Sequence, residues 1–236
     1  HTDAHSPFDH LAAHHLNHGL LVIGDPALHV DLYKKPVHTA RVLHDKYYNV
    51  NVLGMTVGEG NMIPAPSLSP QHVKGYCTNG IVDSGASALV LPETLMKQVK
   101  ATLIGYNETF APLLAPYEHF TGEETGIPLS SLNIADWPTI YLHLEGCDGK
   151  PVALAVSPET YWQVHAPSPH QATFKLYSLP GWPNQLIIGL PVLNNYYTIF
   201  DRAAGETGAV HFATKVDLPG HLISSIQEAL HLPSQQ

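Results

Sequence analysis

The chain has 236 residues, 44% hydrophobic and 13% charged, which is long and apolar enough for a substantial core beneath a weakly charged surface. Its formal net charge of −9, from 11 Lys+Arg against 20 Asp+Glu, argues against nucleic acid or an anionic membrane as a partner. Two Cys exclude a dense disulfide framework, while 20 Pro and 18 Gly favour short strands and many turns over long helices.

Residues 1–19 read as a lead-in arm crowded with His1, His5, His10, His14, His15 and His18. His14 and His18 would share a helical face and could hold a metal. No Cys or carboxylate pattern completes such a site, and a polar, solvated arm is the simpler reading. No run of ~20 apolar residues is present to cross a bilayer. The chain starts without Met and without a leader, which is read as processing or trimming.

Residues 20–23 form a short apolar strand. Asp25-Pro26 and Lys35-Pro36 start turns. Residues 47–57 alternate as a strand, Gly58-Glu59-Gly60-Asn61 is a hairpin turn, and 63–69, rich in Pro and Ser, is a surface loop. A strand, turn and strand occupy 80–90. The best helix is 92–104: Pro92 and Glu93 suit its first turn, Leu95, Met96, Val99 and Leu103 give it an apolar face, and Gly105 ends it. Asn107-Glu108-Thr109 is a glycosylation acceptor in a chain that passes through a eukaryotic secretory route. Signals from 106 to 128 are mixed. Strands follow at 137–144, 152–156, 173–179, 186–188, 197–200 and 210–212. An amphipathic helix closes the chain at 221–232 on Leu222, Ile226 and Leu230.

One stretch carries the chemistry: Asn79-Gly80-Ile81-Val82-Asp83-Ser84-Gly85-Ala86-Ser87-Ala88-Leu89-Val90. Ile81 and Val82 read as a buried strand, and Gly85 permits a tight turn. Asp83 is therefore placed at the end of a buried strand among apolar neighbours, where desolvation prepares a carboxyl group for acid–base work. An Asp capping its own turn is the plain structural alternative. Other schemes find little support. Ser84 and Ser87 lack a nucleophile-elbow context. Cys77 has no neighbouring base, and no phosphate-cradling loop or metal motif is present, so no cofactor is expected.

Ile81-Val82-Asp83-Ser84-Gly85-Ala86-Ser87 resembles the second catalytic motif of the pepsin-like aspartic peptidases. Leu186-Ile187-Ile188-Gly189-Leu190-Pro191 with Tyr196-Tyr197-Thr198-Ile199-Phe200-Asp201-Arg202 is similar to the segment near the C-terminus of that family, in its order and near its spacing. A looser similarity joins Leu21-Val22-Ile23-Gly24-Asp25-Pro26 and Tyr47-Tyr48-Asn49-Val50 to the segment entering the C-terminal lobe. The family carries two Asp-Ser/Thr-Gly motifs, whereas this sequence carries one.

The resemblance implies an all-β fold, a C-terminal lobe of orthogonally packed short-stranded sheets with a few short helices. It spans 20–215, between the arm at 1–19 and a tail at 216–236. It implies an aspartic endopeptidase in which Asp83 is one carboxylate of a two-Asp dyad acting on an extended polypeptide. Ser84, Gly85, Ala86 and Ser87 would support the catalytic loop, and Ile187, Ile188 and Gly189 would wall it. Ala86 departs from the Ser or Thr found in many members, and a lost donor to the charged carboxylate implies chemistry less confined to very low pH. The second carboxylate would come from an N-terminal peptidase lobe or from a second copy of this chain. The alternative is an inactive lobe that binds peptides, and composition alone leaves a carbohydrate-binding β-domain as a distant option. Secretion, or residence in an acidic secretory compartment, is implied. There Cys77, placed on the strand leading to Asp83, and Cys147, on the 145–149 hairpin, could pair.

Overall fold

Alternation decides the first sheet. In Ile140–Glu145 the side chains of Ile140, Leu142 and Leu144 are fully buried while those between them are half-exposed, the period-two pattern of a strand with one face on a core. A computed structural model describes residues 21–216 except 45, 118, 119 and 121. The His-rich arm at 1–19 and the helix expected at 221–232 lie outside the described residues.

In chain order, a 3-10 helix at Pro26–Leu32 leads into β1 (Tyr33–Arg41), β2 (Asn49–Val50), β3 (Val52–Val57) and β4 (Ile63–Pro64). Helix α1 (Pro70–Tyr76) precedes β5 (Gly80–Val82) and β6 (Leu89–Val90); α2 (Glu93–Tyr106) and α3 (Phe110–Leu114) follow. Then come β7 (Ile127–Pro128), β8 (Ile140–Glu145), β9 (Pro151–Val156), α4 (Pro158–Tyr161), β10 (Trp162–Val164), β11 (Gln171–Phe174) and β12 (Leu176–Tyr177). The described chain closes with β13 (Leu186–Ile188), α5 (Leu190–Leu193), β14 (Tyr196–Asp201) and β15 (Ala209–Lys215). The strands form four small sheets, in the orders β1-β15-β14, β10-β11-β7, β12-β6-β13-β5-β2 and β4-β3-β8-β9. This is the all-β architecture of short strands and few helices that the sequence implies.

The fourth sheet packs on α2, whose Leu95, Met96, Val99 and Leu103 are all buried. β4 can reach β3 because residue 54 is Gly: a Cβ there would lie 2.4 Å from the Ile63 carbonyl oxygen. Aromatic rings fill the space beside it. Phe110 and Trp137 stack at 3.8 Å between centroids, and Trp162 lies 5.0 Å from both Trp137 and Phe174 in edge and tilted contacts. Buried Tyr161 satisfies its hydroxyl on the Pro138 carbonyl at 2.6 Å, so its polar end costs little to bury.

Several local expectations are corrected. Residues 21–24 form no strand, and Leu21 and Ile23 are exposed. Lys35-Pro36 is not a turn but part of β1, at the irregularity between Lys34 and Val37 where β1 pairs with β15. A bulge asks no N–H of Pro36, which is how a strand accommodates it. The stretch 63–69 begins with a strand. Residues 70–76, not foreseen as helical, form α1, so Cys77 caps a helix at φ 65° and does not lie on the strand to Asp83. Helix α2 runs through Gly105 to Tyr106 and is capped at Asn107. Cys77 and Cys147 are both free thiols, so the pairing the sequence left open is not formed.

Phe174 touches Tyr117, Trp137, Tyr161 and Trp162 and is fully buried. Phe174→Ala is expected to destabilise the fold by about 3–5 kcal/mol, read from the urea midpoint at unchanged slope. On β8, His143 shares a 2.8 Å hydrogen bond between Nε2 and the Thr56 hydroxyl, and burial lowers its pKa from 6.5. A depressed imidazole favours the neutral folded form, so its contribution is present above about pH 6.5 and is lost as pH falls through the folded value. His143→Gln should flatten that part of the stability–pH curve, and the His143 ring resonance should titrate below that of an exposed His.

Candidate active site

The loop at 83–88 is held by what passes beneath it. β5 can run close to the neighbouring strands because residue 80 is Gly; a Cβ there would lie 2.5 Å from Val52 Cγ2. The chain leaves β5 at Asp83 and returns in β6. Between those two strands lies β13, parallel to β5 with Ile187 opposite Ile81 and Ile188 opposite Val82. It is antiparallel to β6 through Ile187 and Val90. The Asp83 amide donates to the Ile188 carbonyl at 3.0 Å, extending the ladder to the base of the loop.

Gly189 then slides under the turn. A Cβ on it would sit 2.3 Å from the Ala88 oxygen and 2.4 Å from the Ala86 oxygen, so only glycine fits. The next residue closes the contact: the Leu190 amide donates to the Ala86 carbonyl at 2.9 Å. Within the loop the Ala86 amide donates to the Asp83 carbonyl at 3.2 Å. The Gly85 amide donates to Asp83 Oδ1 at 2.8 Å, a charge-assisted bond that fixes one carboxylate oxygen.

The sequence-predicted residues therefore come together. Asp83, Ser84, Gly85 and Ser87 are exposed at the tip, Ala86 is half-buried, and Ile188 and Gly189 are buried below with Ile187 half-buried beside them. The environment of Asp83 differs from the expectation. Val82 takes the buried place, and the carboxylate of Asp83 is open to solvent and not enclosed by apolar neighbours. A strand that ends at the edge of its sheet carries its next side chain out of the core. Ala86 brings a methyl group and no donor to the loop. Among the described residues the hydroxyls of Ser84 and Ser87 make no hydrogen bond, and no group of three or more His, Cys, Asp or Glu is gathered for a metal.

A polar anchor at the other end of β5 and β13 was not anticipated. Buried Asn79 accepts from the Val52 amide at 2.9 Å and donates to the Val52 carbonyl at 2.8 Å and the Pro66 carbonyl at 3.2 Å. Its own carbonyl accepts from Leu186 at 2.8 Å, the first residue of β13. Gln185 donates to the carbonyls of Tyr76 and Thr78, both at 2.9 Å, and Asn49 donates to Tyr76 at 3.0 Å and to the Thr78 hydroxyl at 3.2 Å. Three buried carboxamides thus clamp the roots of the two strands that carry the loop. Their trace in the sequence is a polar side chain interrupting or flanking an apolar run, as Asn49 does after Tyr47-Tyr48 and Gln185 before Leu186.

The model of one protein family, described as eukaryotic aspartyl protease, matches residues 10–214. The chain belongs to the eukaryotic aspartyl protease family. The match extends over β1 to β15 and so includes both the loop at Asp83 and the strand that supports it. Membership places the chain among hydrolases of the pepsin-like class, with aspartic endopeptidase activity at the level of the family.

Gly189→Ala tests the support directly. The added methyl must push the loop away, and the variant is expected to lose about 1–3 kcal/mol of stability. Faster hydrogen exchange at the Asp83 and Leu190 amides, with little change at the β8 amides, would locate the damage.

Proposed function

We propose that this chain acts as the C-terminal catalytic lobe of an aspartic endopeptidase and that Asp83 supplies one carboxylate of a two-Asp dyad. The observation that carries the reading is the rigidly held yet exposed carboxylate at the tip of β5, with Gly189 packed beneath its loop. A catalytic acid needs fixed geometry on its own side and open space on the other for water and substrate. Turn capping alone requires neither the parallel strand threaded through the loop nor the carboxamide clamp at its base.

The chemistry needs a second carboxylate facing the first. Two carboxylates a few ångströms apart do not both ionise readily, so they share a proton. The ionised member takes a proton from water as the water attacks the peptide carbonyl. The protonated member donates to the developing oxyanion, and a proton then passes to the leaving amine. Gly85 orients Asp83 for this through its amide. Ser84, exposed beside it, is placed to reach across to a facing loop. With Ala at 86, the loop brings no side-chain hydroxyl to the carboxylate.

The facing carboxylate belongs on this reading to an N-terminal peptidase lobe, in the same precursor or as a separate fragment. The sheet β1-β15-β14 offers a place for it. Among the described residues β14 pairs on one side only, leaving its outer edge open to further strands. The substrate is an extended polypeptide laid between the lobes, and the working location is a secretory or acidic compartment.

The intact mass of the native particle, together with proteolysis at about pH 4 with and without pepstatin, tests the proposal. A particle holding a second lobe, with pepstatin-sensitive cleavage that falls roughly a thousandfold or more in Asp83→Asn, is the expected result. A particle of two identical chains with the same sensitivity would assign the second carboxylate to another Asp83. Undiminished cleavage in Asp83→Asn would overturn the role of this residue, and a folded particle that binds peptide without cutting it would make the lobe a binding module.

A further inference from the structure

We propose that Asn107 is a site of N-linked glycosylation, on a face of the lobe that leaves the Asp83 loop clear. Asn107-Glu108-Thr109 is the one Asn-x-Ser/Thr triplet in the chain, and its middle residue is not Pro. Many such triplets lie inside strands or helices where no transferase product could be housed. This one sits in the break between α2 and α3, with Asn107 in extended backbone at φ −151° and ψ 115° as the residue that ends α2.

The local geometry is that of an Asx turn. Asn107 Oδ1 accepts from the Thr109 amide at 3.0 Å and from the Thr109 hydroxyl at 2.8 Å. The threonine hydroxyl is thereby drawn onto the carboxamide oxygen, and the Nδ2 end of the same group is turned the other way. Among the described residues no protein acceptor takes up Nδ2. Asn107 is half-buried, and its neighbours Gly105, Tyr106, Glu108 and Thr109 are all exposed, so solvent reaches the segment on both sides. Tyr106 presents an exposed aromatic ring next to the acceptor, an apolar face against which the first sugar can lie.

The reaction needs one co-reactant, an oligosaccharide carried on a polyprenyl diphosphate. Asn107 Nδ2 forms a bond to the anomeric carbon of the first sugar, the bond from that carbon to the diphosphate oxygen breaks, and the diphosphate leaves with the electron pair. One N–H proton is released. The hydroxyl contact at Oδ1 polarises the carboxamide and holds it in one orientation for this attack.

Placement makes the modification compatible with function. Glu93, at the start of α2, is close in sequence to the catalytic loop; at 1.5 Å per residue the helix carries Asn107 about 20 Å further along its axis. The glycan would therefore project from the end of α2 opposite the one that follows the Asp83 loop in the chain. The proposal does not rest on the assignment of Asp83.

The test is the full chain directed by a secretory leader in a eukaryotic host, with the Asn107 peptide read by mass spectrometry in the medium and in the secretory lumen. The expected result is a glycan on that peptide, released by peptide N-glycosidase with conversion of Asn107 to Asp. Thr109→Ser should keep the glycan, while Thr109→Ala and Asn107→Gln should lose it completely. An unmodified Asn107 in the wild-type chain in both fractions, or a glycan that survives Thr109→Ala, would overturn the proposal.

Discussion

The parallel pairing of β5 with β13 is the interaction on which the rest of the site depends. A turn between two short strands is ordinarily soft, because a few hydrogen bonds at its base must hold every residue in it. Here the two strands of the turn do not pair with each other. β13 is inserted between them and bonds to both. The ladder continues past β5 into Asp83 itself through the Ile188 carbonyl, and Leu190 closes on Ala86 from below. Each end of the loop is thus tied to one continuous segment, and displacement of Asp83 would have to break that segment's bonds as well as its own. The constraint is topological, and it is why a glycine with no room for a methyl group is required at 189.

Such an arrangement places a demand on the opposite end of the strands. A strand of three residues makes too few backbone bonds to fix its own register, and a slip by one residue would exchange Val82 with Asp83 between core and solvent. Asn79, Gln185 and Asn49 answer that demand. Asn79 both accepts from and donates to the backbone of Val52 and donates to Pro66, a set of bonds a shifted register would break, while Gln185 and Asn49 donate to the carbonyls of Tyr76 and Thr78 or to the Thr78 hydroxyl. A buried polar group left unpaired costs about 1–3 kcal/mol, so the doubly bonded Asn79 disfavours a slipped register. Gly80 acts with it, since only a residue without a side chain leaves Val52 and Val50 where they are.

What could be read in the sequence follows from how local the determinants are. The loop at 83–88, the hairpin of β8 and β9 and the buried face of α2 each declare themselves within a dozen residues, through alternation, a helical period or a turn residue. β1 did not, because Lys34, Lys35 and Pro36 are poor strand residues whose pairing is set by β15, far along the chain. Helix α1 was hidden for the same kind of reason: its residues are exposed or half-exposed, so it has no buried stripe to leave a period in the sequence. The carboxamide clamp needed three polar residues from three distant segments, and nothing in any one segment announces the others. Free Cys77 and Cys147 belong to this group too. Counting thiols suggested a pair, but Cys77 at the end of α1 and exposed Cys147 in its hairpin are anchored by different elements, the latter through its amide on Thr39.

The exposure of Asp83 bears on what the lobe can do by itself. Acid–base catalysis at a carboxyl group relies on low-dielectric surroundings or a neighbouring charge to set its protonation, and this lobe supplies geometry without enclosure. The missing ingredients are a second carboxylate, a wall against solvent and a partner for the Ser84 hydroxyl, and on the proposed reading all three lie on one facing surface. The division has a physical logic. A carboxylate buried within a single lobe would burden that lobe's folding with its desolvation. On the proposed reading, one left at the surface and enclosed only on assembly would let the lobe fold unburdened and would confine the activated state to the joined particle.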